Sequence, residues 1–200
     1  SLDALKLLVD NYMNTDPNGV DYATSRVYFY TEEAAMIYDG SWDLGYYMGA
    51  GDEVPEEFWE KWDIFLFPDI PGTKGNPNYA HSVSDNGLIV SSQTKYPEAA
   101  VEFLKFYSSL ENASMFVKEA GEFSSVIGAV NEDTASWALV KMGELLKSAE
   151  GSVPWQDIVV PTSLAELLKK EIQAVVGGQK TSEEAMQAWS AHALELKNQK

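Results

Sequence analysis

Trp42 and Asp43 stand side by side in IYDGSWDLGYYMGAG, residues 37–51, and a second tryptophan, Trp155, precedes Gln156 and Asp157 in VPWQD, residues 153–157. An aromatic ring stacks on the apolar C–H faces of a sugar, and an adjacent carboxylate or amide meets the hydrogen bonds that its hydroxyls require. Both stretches place the two kinds of group next to one another. The chain carries six tryptophans and ten tyrosines, more than a core of this size requires, and several fall at element ends rather than at periodic core positions. The competing role for Trp42 and Trp155 is structural, that of a core aromatic closing the end of an element.

Other chemistries find less support. His81 and His192 lie far apart without a helical pair, so no HExxH zinc site is present. GAGDEV, residues 49–54, has only two of the glycines of a dinucleotide fingerprint, and no P-loop or G-x-S-x-G elbow occurs. Asn14, Asp16, Asn18 and Gly19 match the first half of a calcium loop, but Ser25 stands where a bidentate Glu is needed. That stretch therefore reads as a helix-ending turn. Asp39 and Asp43 could serve as the paired carboxylates of a glycosidase, though such pairs arise by chance among 31 acidic residues.

These residues need a scaffold, and 200 residues with 45% apolar content suffice to bury a core. The net charge of −17 argues against nucleic acid or an anionic membrane as a partner. The absence of cysteine excludes disulfides and thiolate metal sites. Apolar runs such as FLF, residues 65–67, are too short to span a bilayer, and Ser1 in place of Met is expected of a processed or truncated product.

Hydrophobic spacing predicts a helix over 2–13, closed by TDPNG at 15–19. Strands are expected at 35–38, where Asp39-Gly40 closes the run, at 62–67, and at 87–92, with a turn-rich loop at 68–78. Pro97 opens a helix that continues, after a break, to about Ala120; 121–133 is a connector. Further helices are predicted at 134–148, at 163–176 with Gly177-Gly178 as its stop, and after Thr181, which stands three before Glu184 in a capping box.

Four segments in the same order resemble one family, the extracellular solute-binding proteins of sugar ABC importers of the maltodextrin-binding type. EEAAMIYDGSWDLG (32–45) is similar to its F-x-x-G-K-A-A-M-x-x-x-G-S-W stretch, and WDIFLFPDIPGTKG (62–75) to its strand, Phe-Pro, Pro-Gly stretch. GLIVSSQTKYPEAAVEFLKFYSSLENASMF (87–116) resembles its strand followed by Lys-x-Pro-Glu-A-A and a helix. VPWQDIVVPTSLAELLKKEIQAVVGGQKTSEEAMQ (153–187) resembles its closing helices. TEEAA at 31–35 departs from the family's Gly-Lys before Ala-Ala, and only the C-terminal half of the family is matched.

The resemblance implies an α/β, periplasmic-binding-protein-like fold of type II, helix-rich with a short mixed sheet. It implies that residues 1–85 and 131–200 belong to the C-terminal lobe and 86–130 to the N-terminal lobe. Trp42 and Trp155 become stacking platforms and Asp43 a hydroxyl acceptor, with Asp85, Asn86, Glu122, Phe123 and Ser124 as further cleft residues. The implied function is capture of an extracellular sugar for a membrane permease, without catalysis, cofactor or metal, in the periplasm or outside the cell, with a lipid anchor to the cell surface among the family's options. A peptide or polyamine as cargo, and a glycan hydrolase, stand as alternatives.

Overall fold

A computed structural model describes residues 2–68, 76, 78–81 and 87–198, which divide into two compact units, Ser1–Ile37 with Pro154–Lys200, and Tyr38–Val153.

The first unit is helical. α1 (Leu2–Tyr12), α6 (Gln156–Val159) and α8 (Ser182–Asn198) all pack on α7 (Thr162–Val176), and α2 (Tyr22–Tyr30) completes the set. Leu164, Ala165, Val175 and Ala185 are its buried apolar residues. The Trp189 indole donates to the Leu164 carbonyl at 3.1 Å, tying α8 to the start of α7. Glu171 is buried and accepts both contacts of Lys180 Nζ, at 2.6 and 2.7 Å, so the α7–α8 turn closes on an ion pair. The capping box forms as predicted: the Thr181 amide donates to Glu184 at 2.8 Å, and the Glu184 amide to the Thr181 hydroxyl at 3.2 Å. Hydrophobic spacing does not predict α2, because YATSRVYFY lacks an apolar stripe; its one sequence signal is Asp21, whose carboxylate accepts from the Thr24 amide at 2.8 Å.

The second unit holds α3 (Pro97–Tyr107), α4 (Leu110–Ala120), α5 (Trp137–Ser148), and two three-residue strands, β1 (Tyr79–His81) and β2 (Gly151–Val153). Its core gathers Leu44, Ala113, Val117, Ala129, Ala138 and Leu139, with Trp62, Ile64 and Phe123 packed against them. Full burial of Val117 or Leu139 contributes about 1.5–3 kcal/mol each. The predicted break between α3 and α4 falls at Ser108 and Ser109, where the Ser109 hydroxyl accepts from the Asn112 amide and caps α4. Gly121 ends α4 in the left-handed conformation at φ 67°, which glycine adopts without strain.

The sheet differs from expectation. β1 and β2 pair in parallel, Tyr79 with Gly151, Ala80 with Ser152 and His81 with Val153, so the described sheet is two-stranded and parallel rather than mixed. None of the three predicted strands forms a ladder: residues 36–38, 62–67 and 87–90 are irregular. Their apolar patterns signal burial, whereas a strand also needs a neighbour to exchange backbone hydrogen bonds with, and among the described residues none is present for them. β1 and β2 carry no such signal, because three residues are too few to establish a period. The predicted loop at 68–78 lies for the most part outside the described residues.

Candidate functional site

The Trp42 region is built on a tight turn. Residues Ser41–Asp43 form a single 3₁₀ turn in which the Asp43 amide donates to the Gly40 carbonyl at 3.2 Å. Asp39 organises the approach, accepting from the Gly40 amide at 2.8 Å and from the Tyr47 hydroxyl at 3.0 Å. The Trp42 ring folds back over Gly40, so that a Cβ at Gly40 would lie 2.3 Å from ring carbons. Glycine is required here by the ring above it, and the indole is left 44% exposed. The ring is thus seated against backbone on one side and partly exposed to solvent.

Behind the turn the side chains are dry. Asp43 is only 5% exposed and Tyr47 2%. Tyr47 meets Tyr46 and Trp62 edge-on, with ring centroids 5.5 and 5.7 Å apart, and Trp62 lies 4.8 Å from Trp137. This aromatic stack holds the turn against the core, and Trp62 and Trp137 thereby account for two of the surplus tryptophans as packing residues.

The turn meets the end of α4. A Cβ on Gly45 would come within 2.5 Å of the Gly121 carbonyl oxygen, so the two backbones touch with no room for a side chain. That contact sets Trp42 and Asp43 on a segment adjoining Glu122, Phe123 and Ser124, which are distant in the sequence. Glu122 is exposed. Phe123 packs against the core and faces Gly143, and the Ser124 hydroxyl accepts from the Val126 amide at 3.2 Å. Phe123 thus has a packing role, and Ser124 shapes a turn. Trp155 belongs to the other compact unit, where it is half-buried at the N-terminal end of α6. Asp85 and Asn86 lie outside the described residues.

The shifted titrations mark caps and ion pairs. Thr24, through its amide and then its hydroxyl, holds Asp21 below the usual carboxylate range, and Thr181 does the same for Glu184. Asp63 is lowered first by the Lys141 ammonium and then by the Ile64 amide, and Lys169 is raised by Glu166 and Asp157. Partial burial raises the Tyr38 phenol. None of these is a carboxylate pair pushed apart in one cleft, the pattern that glycosidase chemistry calls for. Among the described residues no three of His, Cys, Asp and Glu gather as a metal site requires, and no helix is long and apolar enough to cross a membrane. A depression lined by Pro97, Glu98, Val101, Glu102 and Lys105 lies along α3 and contains none of the predicted site residues.

Comparison with solved structures finds a "Chitin oligosaccharide binding protein", 24% identical and superposing with a TM-score of 0.79 over 97% of this chain and 47% of its own. The likeness establishes a shared fold, of the periplasmic-binding-protein kind, and this chain spans about half the length of that protein. No curated protein matches. The family model described as bacterial extracellular solute-binding protein matches residues 1–114, more than half of the chain. The chain belongs to the bacterial extracellular solute-binding protein family.

Proposed function

We propose that this chain is part of the carbohydrate-binding component of an ABC importer, which captures a sugar or oligosaccharide outside the cytoplasmic membrane and delivers it to a permease. The observation that carries this reading is Trp42, its ring seated on Gly40 and 44% exposed, on a turn backed by buried Asp43 and Tyr47. The cargo class is supported by the structurally similar protein, a chitin oligosaccharide binding protein. Family membership supports an extracellular or periplasmic location, and a lipid anchor to the cell surface would keep such a protein beside its permease. The protein closes around its ligand and catalyses nothing.

In the whole protein Trp155 is a second platform, and Asp85, Asn86, Glu122 and Ser124 supply hydrogen bonds to hydroxyls. Residues 86–130 belong to the opposite lobe, with residues 1–85 and 131–200 in the lobe that carries Trp42. A polyamine is the second reading, favoured by the net charge of −17.

Tryptophan fluorescence of the full-length protein, titrated with chitin-derived, malto- and other oligosaccharides and with spermidine, tests both. A saturable response to a saccharide, weakened in Trp42→Ala, is the expected result. A response to spermidine alone selects the second reading, and a saccharide response unaltered by Trp42→Ala overturns the role of that residue.

A further inference from the structure

We propose that Asp39 is a positioning residue for Trp42: it sets the indole for a sugar without touching the sugar itself. This inference rests on the sugar-binding reading of Trp42 and adds the group that holds the ring in place. Both peptide groups of Gly40, the residue beneath the ring, are engaged. The Gly40 amide donates to one Asp39 oxygen at 2.8 Å, and its carbonyl accepts from the Asp43 amide at 3.2 Å. The other Asp39 oxygen accepts from the Tyr47 hydroxyl at 3.0 Å, so one carboxylate ties the backbone under the indole to a side chain that is 2% exposed.

The need for such a tie follows from the ring. A Cβ at Gly40 would overlap the Trp42 carbons, so this position cannot be stiffened by a side chain of its own. Glycine is also the residue with the most backbone freedom to lose. The restraint must come from a neighbour, and Asp39 supplies it. Its anchor is rigid: Tyr47 lies edge-on to Trp62 with ring centroids 5.7 Å apart, and Trp62 lies 4.8 Å from Trp137, where α5 begins.

Two carboxylates flank Trp42 in the sequence, and the fold turns both inward. Asp39 directs each of its oxygens to a partner within the same segment, and Asp43 is 5% exposed. Asp39 therefore acts on a ligand through the ring.

The test uses the full-length protein labelled with 5-fluorotryptophan, the Trp42 fluorine line being assigned by its loss in Trp42→Ala. Asp39→Ala removes both hydrogen bonds; Asp39→Asn keeps them, its oxygen accepting from Gly40 and its amide donating to the Tyr47 oxygen. In ligand-free protein the Trp42 line should shift or broaden in Asp39→Ala and return in Asp39→Asn. Affinity for a chitin-derived trisaccharide or maltotriose, read by calorimetric titration, should fall about fivefold in Asp39→Ala, recover in Asp39→Asn, and fall no further when Asp39→Ala is added to Trp42→Ala. A loss of the same size in the Trp42→Ala background overturns the proposal, because Asp39 would then act on the ligand independently of the ring. So does an unmoved line in Asp39→Ala. If neither saccharide binds, or Trp42→Ala leaves affinity unchanged, the sugar-binding reading fails, and the ligand-free fluorine line alone decides whether Asp39 holds the ring. Should Asp39→Ala fail to fold, Tyr47→Phe replaces it, removing only the hydroxyl: a moved Trp42 line supports the tie and an unmoved one overturns it.

Discussion

Gly45 and Gly121 touch backbone to backbone: a Cβ on the first would lie 2.5 Å from the carbonyl oxygen of the second, and a Cβ on the second 2.8 Å from the Cα of the first. This contact joins the turn bearing Trp42 to the connector bearing Glu122 and Ser124. Gly121→Ala combines a left-handed conformation at φ 67° with that overlap, so it should cost about 2–5 kcal/mol. Calorimetry should show a melting temperature lower by about 5–15 °C. Gly87→Ala, where a Cβ meets nothing within 4 Å, is the control and should change little. Equal melting temperatures for the two variants would show that the close approach is relaxed in solution.

The Gly40 and Trp42 pair separates the proposed stacking role from the mere presence of an indole. Gly40→Ala places a methyl where the Trp42 ring sits, 2.3 Å from its carbons, and so must turn the ring away. Saccharide affinity should fall about tenfold, equivalent to ~1.4 kcal/mol, although Trp42 itself is retained. Calorimetric titration of Gly40→Ala beside Trp42→Ala checks this. Undiminished affinity in Gly40→Ala would mean that the orientation of the ring is not what binds.

Glu171 and Lys180 form the ion pair with the more buried acid, Glu171 being 6% exposed and both its oxygens contacting the ammonium. Lys180→Met strands the carboxylate and should destabilise by about 3 kcal/mol. The double variant Lys180→Met with Glu171→Gln should recover a large part of that loss, because no uncompensated charge remains. Chemical denaturation of the set reads the coupling, and additive effects would refute it.

Acid should weaken the fold by a definite route. Asp21, Asp63 and Glu184 ionise more readily in the folded chain than at their ordinary values of 3.8, 3.8 and 4.5, because Thr24, Lys141 and Thr181 hold their charged forms. A carboxylate whose folded value is depressed contributes stability that is complete above its unfolded value and is lost as pH falls through the folded one. Thermal melts should therefore be flat from neutrality to about pH 5 and then decline through and below the 3.8–4.5 range. Lys141→Met should shallow that decline, since Asp63 loses its main partner. An acid limb identical to that of the parent would refute the assignment.

By itself, the sequence determined most of the helices, because their determinants are local. The apolar stripe of α7, Pro97 at the start of α3, and the reciprocal Thr181 and Glu184 cap each involve residues within a turn or two of one another, and all appear in the structure. It also singled out Trp42 and Asp43 through residue type alone. What lies around them was decided by tertiary packing. Asp39 meeting Tyr47, Trp62 stacking on Trp137, and Gly45 resting on Gly121 join residues 8, 75 and 76 positions apart, and no period or motif encodes such distances. The strands show the same division. WDIFLF reads openly as an apolar run, but an extended segment becomes a strand only when another offers its amides and carbonyls, and that depends on what folds beside it. Helices close their hydrogen bonds within themselves and are legible from within; strands and close glycine contacts are completed by a second segment, which only the folded chain brings into place.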